Sequence, residues 1–145
     1  MTALTGTLAE IRDDFQALEQ KDRLQLLLEF SDELPDRPER YRDHPDLLER
    51  VEECQAPVYI FVEVDEHDIV HLFATAPQEA PTTRGFASIL VQGLAGLTAD
   101  EVLAVPDDFP NALGLTQAVS PLRLRGMSAL LGRAKRQVRA KVAAA

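Results

Sequence analysis

The side chain with the most distinctive chemistry in this sequence is Cys54, the only cysteine among 145 residues, set in the stretch Arg50-Val51-Glu52-Glu53-Cys54-Gln55-Ala56-Pro57-Val58-Tyr59-Ile60. A thiol attacks only as its thiolate. Glu52 and Glu53 precede it, and like charge nearby raises a thiol pKa. The expectation is a quiet thiol. One cysteine makes no internal disulfide, so its sulfur chemistry is intermolecular or that of a free thiol in a reducing compartment. Pro57 lacks the amide hydrogen a central ladder needs and suits the first residue of a strand, which puts Cys54 at or near a loop tip. Locally, two readings stay open: a reagent on a loop, or a small buried hydrophobe.

Other constellations carry less. His67 and His71 are four apart, a metal-binding spacing on a helix, but along a strand that separation is about 13 Å. His44, before Pro45, reads as a loop residue, and no metal site is expected. The pairs Asp13-Asp14 and Asp107-Asp108 read as solvated faces and caps. Neither a Gly-rich phosphate loop nor a Ser-His-Asp pattern of recognisable spacing is present.

Composition narrows the function classes. With 46% hydrophobic and 27% charged residues, and no apolar run of about 18 residues, the chain reads as a soluble globular protein with no membrane association. Its first residues, MTALTGTLAEIRDDF, lack the basic start and apolar middle of a signal peptide, so the cytoplasm is the expected compartment. The net charge of −9 conceals a division: residues 1–108 hold all 24 acidic groups and 8 basic ones, whereas residues 109–145 hold 7 basic groups and no acid. A chain so acidic is not expected to bind nucleic acid. Arg133, Lys135, Arg136, Arg139 and Lys141 read as the solvated face of a C-terminal helix, where cations favour the macrodipole.

The elements that must position Cys54 follow from periodicity. Thr7-Leu8-Ala9-Glu10 has the form of a capping box, and Leu8, Ile11, Phe15 and Leu18 follow at helical spacing, which predicts a helix over 8–19. Asp22 is the expected cap of a second helix that buries Leu24, Leu27, Leu28 and Phe30 and ends before Pro35. The proline-rich, charged run 35–46 is a surface connection. Val58, Ile60, Val62 and Val64 alternate with Tyr59, Phe61 and Glu63, Asp65 to Asp68 supply a turn, and Ile69 to Thr75 return, which predicts an antiparallel hairpin. Glu49 to Glu53 is a candidate third strand. Helical spacing resumes after Pro81 with Phe86, Ile89, Leu90 and Leu94 and closes near Gly96. Thr98 to Glu101 forms a second capping box, and Ser120-Pro121 opens the last helix, whose buried stripe is Leu124, Met127, Leu130, Leu131, Ala134 and Val138.

Together, Glu53-Cys54-Gln55 before Val58-Tyr59-Ile60, Arg84-Gly85 opening a helix, Leu113-Gly114-Leu115-Thr116, and Ser120-Pro121-Leu122-Arg123 with Gly126-Met127 resemble the SufE/CsdE group of sulfur acceptors, from about Leu8 to Val138. The resemblance implies an α+β fold of the SufE/NifU-like kind: one domain over 1–145, in two layers, with a three-stranded antiparallel sheet packed against N- and C-terminal helices. It implies that Cys54 takes persulfide sulfur from a cysteine desulfurase and passes it toward an iron–sulfur scaffold. The partner would be a SufS- or CsdA-like enzyme that carries its own pyridoxal phosphate, so no cofactor is expected on this chain. Arg123 matches the family's arginine as a contact to thiolate or partner, and Glu53, Gln55, Glu79 and Arg84 fall on the implied partner surface. The sequence departs from the family pattern where Glu53 stands for a glycine, Ala56 for a serine, Tyr59 for a tryptophan, and Ala118 for a histidine. A non-catalytic desulfurase regulator and a thiol redox sensor remain as alternatives.

Overall fold

The computed structural model describes residues 6–35, 48–54 and 56–144; Gln55, His44 and most of the 35–46 connection lie outside them. Among the described residues, six helices and three strands follow the order α1 (Gly6–Ala17), α2 (Gln20–Asp32), β1 (Glu49–Arg50), β2 (Tyr59–Val64), β3 (Val70–Thr75), α3 (Pro81–Leu94), α4 (Ala99–Leu103), α5 (Phe109–Ala112) and α6 (Pro121–Ala144). The sheet is antiparallel throughout, in the order β1-β2-β3, with Val62 opposite Leu72 and Arg50 opposite Tyr59. The fold is therefore α+β, as the resemblance implied.

Alternation on the strands decides which face is covered. Ile60 and Val62 of β2 and Val70, Leu72 and Ala74 of β3 are buried, while Tyr59, Phe61, His71 and Phe73 are half-buried on the other face. Helix α3 packs on β3 and α6 on β2, and α3 also carries α1 and α2 on its far side. Covered from three directions, α3 buries eight of its fourteen residues, from Gly85 to Leu94. Two glycines allow this approach. A Cβ on Gly85 would lie 2.3 Å from the carbonyl oxygen of Leu27, and one on Gly93 would lie 2.5 Å from a methyl of Leu8.

Local signals held where their partners are close in sequence. Thr98 caps α4 with both arms of its box: Oγ1 accepts from Glu101 N–H at 3.2 Å, and Thr98 N–H donates to the Glu101 carboxylate at 3.0 Å. Ser120 Oγ likewise accepts from the amide of Arg123. Asp65 organises the hairpin turn by accepting from the amides of His67 and Ile69 and pairing with His71, with Asp68 at φ +66°.

Two expected caps are corrected. Helix α1 starts at Gly6, so Thr7 lies inside its first turn. Glu19 precedes α2, and Asp22 lies in that helix's first turn rather than before it. The third strand is also shorter than Glu49 to Glu53: after Arg50 the chain turns, with Val51 N–H bonding Val58 O and Cys54 N–H bonding Val51 O. Beyond so short a strand, β2 would leave its Val62 amide unpaired, and the Gln137 side chain of α6 accepts that hydrogen at 2.8 Å. Among the described residues, no helix is long and apolar enough to cross a membrane, and no cluster of three or more His, Cys, Asp or Glu could hold a metal ion.

Candidate functional site

Cys54 sits on the turn that joins β1 to β2, and that turn folds inward. The residue is only 5% exposed and belongs to the core. The thiol reaches 3.6 Å from the carbonyl oxygen of Gly126 in the second turn of α6, and a Cβ on Gly126 would stand 3.3 Å from Sγ. Here glycine provides the room in which the thiol rests. The two placings left open by the sequence coincide: Cys54 is at once a loop residue and a buried one.

A cleft of about 220 Å³ adjoins the thiol. Its buried members are Cys54, Ala80 and Gly126, and its exposed ones are Glu53, Leu122 and Arg123. Leu122, 43% exposed, is one of only two large hydrophobic side chains among the described residues so open to solvent. Arg123 donates from Nη1 to the hydroxyl of Thr82 at 3.0 Å, tying the start of α6 to the start of α3. Its partner there is thus a hydroxyl and not a carboxylate.

Carboxylates are held instead by Arg133, three turns further along α6. Its Nε donates to Glu53 at 2.8 Å, and its Nη1 donates to Glu49 at 2.6 Å and to the carbonyl of Arg50 at 3.2 Å. Arg136 and Gln137 also hold Glu49. The planar fork of one arginine therefore grips both ends of the segment leading to the cysteine. The hydrogen bond from Arg133 holds the Glu53 carboxyl below its usual range. Burial pushes Glu49 up, but its bonds to Gln137, Arg133 and Arg136 outweigh this and hold it low.

The thiol's own pKa follows from these surroundings. Burial pushes it up to about 11, the charge of Glu53 adds to the rise, and Arg133 offsets part of it. The upward direction agrees with that expected from the neighbouring carboxylates, with desolvation ahead of charge as its cause.

Of the other expected surface residues, Glu79 is exposed just before α3 and does not line the cleft. Arg84 donates to the carbonyls of Ser31 at 2.9 Å and Ala76 at 2.6 Å, closing the end of α2 onto the end of β3. Gln55 lies outside the described residues. The basic face of α6 is not uniformly solvated either. Lys135 is 4% exposed, with its ammonium on the carbonyl of Val105 and on Asp107. Lys141 lies 4.6 Å from the ring centroid of Phe61. The sequence carried only a general signal: with no acid after Asp108, any carboxylate partner for an α6 cation comes from the first 108 residues, which does not separate Arg133 from its basic neighbours.

Residues 9–138 match the family model described as the SufE Fe-S metabolism associated domain. The chain is 49% identical over 137 residues to an uncharacterized SufE-like protein of Mycobacterium tuberculosis, covering 94% of each. It is 29% identical over 130 residues to SufE-like protein 1, chloroplastic/mitochondrial, of Arabidopsis thaliana, covering 88% of this chain and 33% of that one. The solution structure of a hypothetical protein from Thermus thermophilus superposes with a TM-score of 0.84 at 36% identity, covering 97% of this chain and 99% of the other. With its fold, its cysteine turn and these likenesses in agreement, the chain belongs to the SufE family, whose domain is associated with iron–sulfur metabolism.

Proposed function

We propose that the protein is a sulfur acceptor that takes persulfide sulfur from a cysteine desulfurase onto Cys54 and passes it toward iron–sulfur cluster assembly. The observation that carries this reading is the placing of the chain's only thiol beside a cleft that also holds Arg123 and the exposed Leu122. In the transfer, the Cys54 thiolate attacks the outer sulfur of the partner's persulfide. The partner's S–S bond breaks, a new one forms at Cys54, and the proton given up by Cys54 goes to the leaving thiolate. No net oxidation occurs. With no second cysteine in the chain, nothing internal resolves the product as a disulfide. Arg123 is suited to hold the anionic sulfur at the cleft, since its guanidinium stays charged at any working pH. A single free thiol fits a reducing, cytoplasmic setting.

A thiol held near pKa 11 and 5% exposed is poorly suited to sense oxidants, which select low-pKa, accessible cysteines. With Cys54 5% exposed, the carrier role requires the thiol to leave its buried seat when the partner docks. Intact mass after incubation with a desulfurase and cysteine tests the proposal. The expected result is a gain of one sulfur, about 32 Da by atomic mass, removed by reductant. Unchanged mass with altered desulfurase turnover would replace the carrier with a non-catalytic regulator, and oxidation by peroxide alone would replace it with a redox sensor.

A further inference from the structure

We infer that Arg133 is a positioning residue for Cys54, acting through Glu53 and Glu49 as a latch that holds the thiol in its buried seat. The inference deepens the carrier role and rests on it for its purpose, but not for its test. Three observations converge. Glu53 is the residue immediately before the cysteine, and its carboxylate is gripped by Arg133 from a helix 80 residues later in sequence. The same guanidinium holds Glu49 and the carbonyl of Arg50, so both ends of a five-residue segment are fixed by one planar group. Beside it stand a two-residue β1, backbone bonds from the amides of Val51, Cys54 and Val58, and the burial of the Val51 and Cys54 side chains, so Arg133 adds the charged tie between the Glu53 end of the segment and α6. Glycine, the family's usual residue before the cysteine, offers no such handle, so Glu53 makes a latch available here that the common pattern lacks.

The latch predicts a sign that simple electrostatics does not. Arg133 attracts the thiolate and Glu53 repels it. If the two side chains only tuned the charge around sulfur, Glu53→Ala would speed alkylation and Arg133→Met would slow it. As a latch, either substitution frees the turn and both speed it. Arg133→Met leaves Glu49 with Gln137 and Arg136, so β1 stays anchored and the variant is expected to fold.

The test uses the isolated full chain without a desulfurase, so a chain that fails to carry sulfur can still show the latch and the reverse also holds. Iodoacetamide alkylation at pH 8 and hydrogen exchange at the Val51 and Cys54 amides are measured for the native protein, Glu53→Ala, Arg133→Met and Arg133→Lys. Glu53→Ala, which loses one charge-assisted hydrogen bond half open to water, is expected to raise both rates about fivefold, and Arg133→Met, which also releases its bonds to Glu49 and the Arg50 carbonyl, at least as much. Arg133→Lys, which keeps the charge but loses the fork, is expected between them and the native protein. One molar salt is expected to speed the native protein and not Arg133→Met. Opposite signs for the two substitutions with unchanged exchange, or no change in either rate, would overturn the latch. Should Arg133→Met fail to fold, exchange in Glu53→Ala decides the matter alone, because exchange does not sense the charge on the thiol.

Discussion

The sulfur of Cys54 and the carbonyl oxygen of Gly126 lie 3.6 Å apart, and the space between the turn and α6 is set by the absent side chain of that glycine. Gly126→Ala puts two effects in opposition. A helical alanine gains about 1 kcal/mol over glycine. The new methyl stands 3.3 Å from Sγ and 3.6 Å from the carbonyl of Glu53, so the turn must give by a few tenths of an ångström. Stability to urea is expected to change by less than about 1 kcal/mol, while Cys54 alkylation accelerates several-fold. An unchanged alkylation rate would mean that Gly126 does not form the thiol's seat.

Cys54→Ser tests burial through pH. The folded thiol titrates near 11, whereas an unfolded one titrates near 8.5. Between these values the folded state keeps a proton that the unfolded state has lost, so stability falls as pH rises. It is full below about pH 8.5 and declines through about 11, at up to about 1.4 kcal/mol per pH unit. The serine variant lacks this titration. Equilibrium unfolding of both proteins across that window is expected to show a steeper alkaline decline with cysteine, and parallel curves would contradict the burial. The same substitution is expected to abolish sulfur uptake.

Arg123→Ala is expected to separate transfer from stability. Arg123 is exposed and holds the Thr82 hydroxyl, so unfolding midpoints should shift little, by about 0.5 kcal/mol or less. The rate of sulfur uptake from the desulfurase is expected to fall about tenfold or more, the usual scale for a charged contact to a reacting anion. Unchanged uptake would return Arg123 to the status of a surface cation.

Gly85→Ala is a stability prediction remote from the cleft. Its Cβ would lie 2.3 Å from a main-chain oxygen of α2, which no rotamer change can relieve. A loss of about 2–3 kcal/mol or more is expected in denaturant unfolding. A loss below about 1 kcal/mol would show that the α2 to α3 contact is looser than described.

What could be read beforehand was what depends on near neighbours. The Thr98 box, the hairpin and the apolar stripe of α6 each rest on residues a few positions apart, and each appears in the structure. The Thr7 box shows the limit, since Ser/Thr with Glu three residues on also occurs inside a first turn. The site was legible only in part because its contacts are distant in sequence. Cys54 belongs to the core because Gly126 lies against it, and nothing near either residue announces the other. Arg133, Lys135 and Arg136 look alike as a basic run. One grips two carboxylates, one is buried on a carbonyl and an aspartate, and one is 62% exposed, because their spacing turns them to different sides of α6.

The order in which these partners are made has a consequence during synthesis. Gly126 follows Cys54 by 72 residues and Arg133 follows Glu53 by 80, so the thiol leaves the ribosome well before its seat or its latch exists. At about 5–20 residues per second, some 4–16 s pass in which Cys54 is open to solvent with an ordinary thiol acidity. The newly made chain is then far more vulnerable to oxidants and alkylating metabolites than the finished one. Damage at this cysteine is accordingly expected to mark molecules caught young, and a pulse of thiol reagent given to cells should label nascent chains in preference to mature protein.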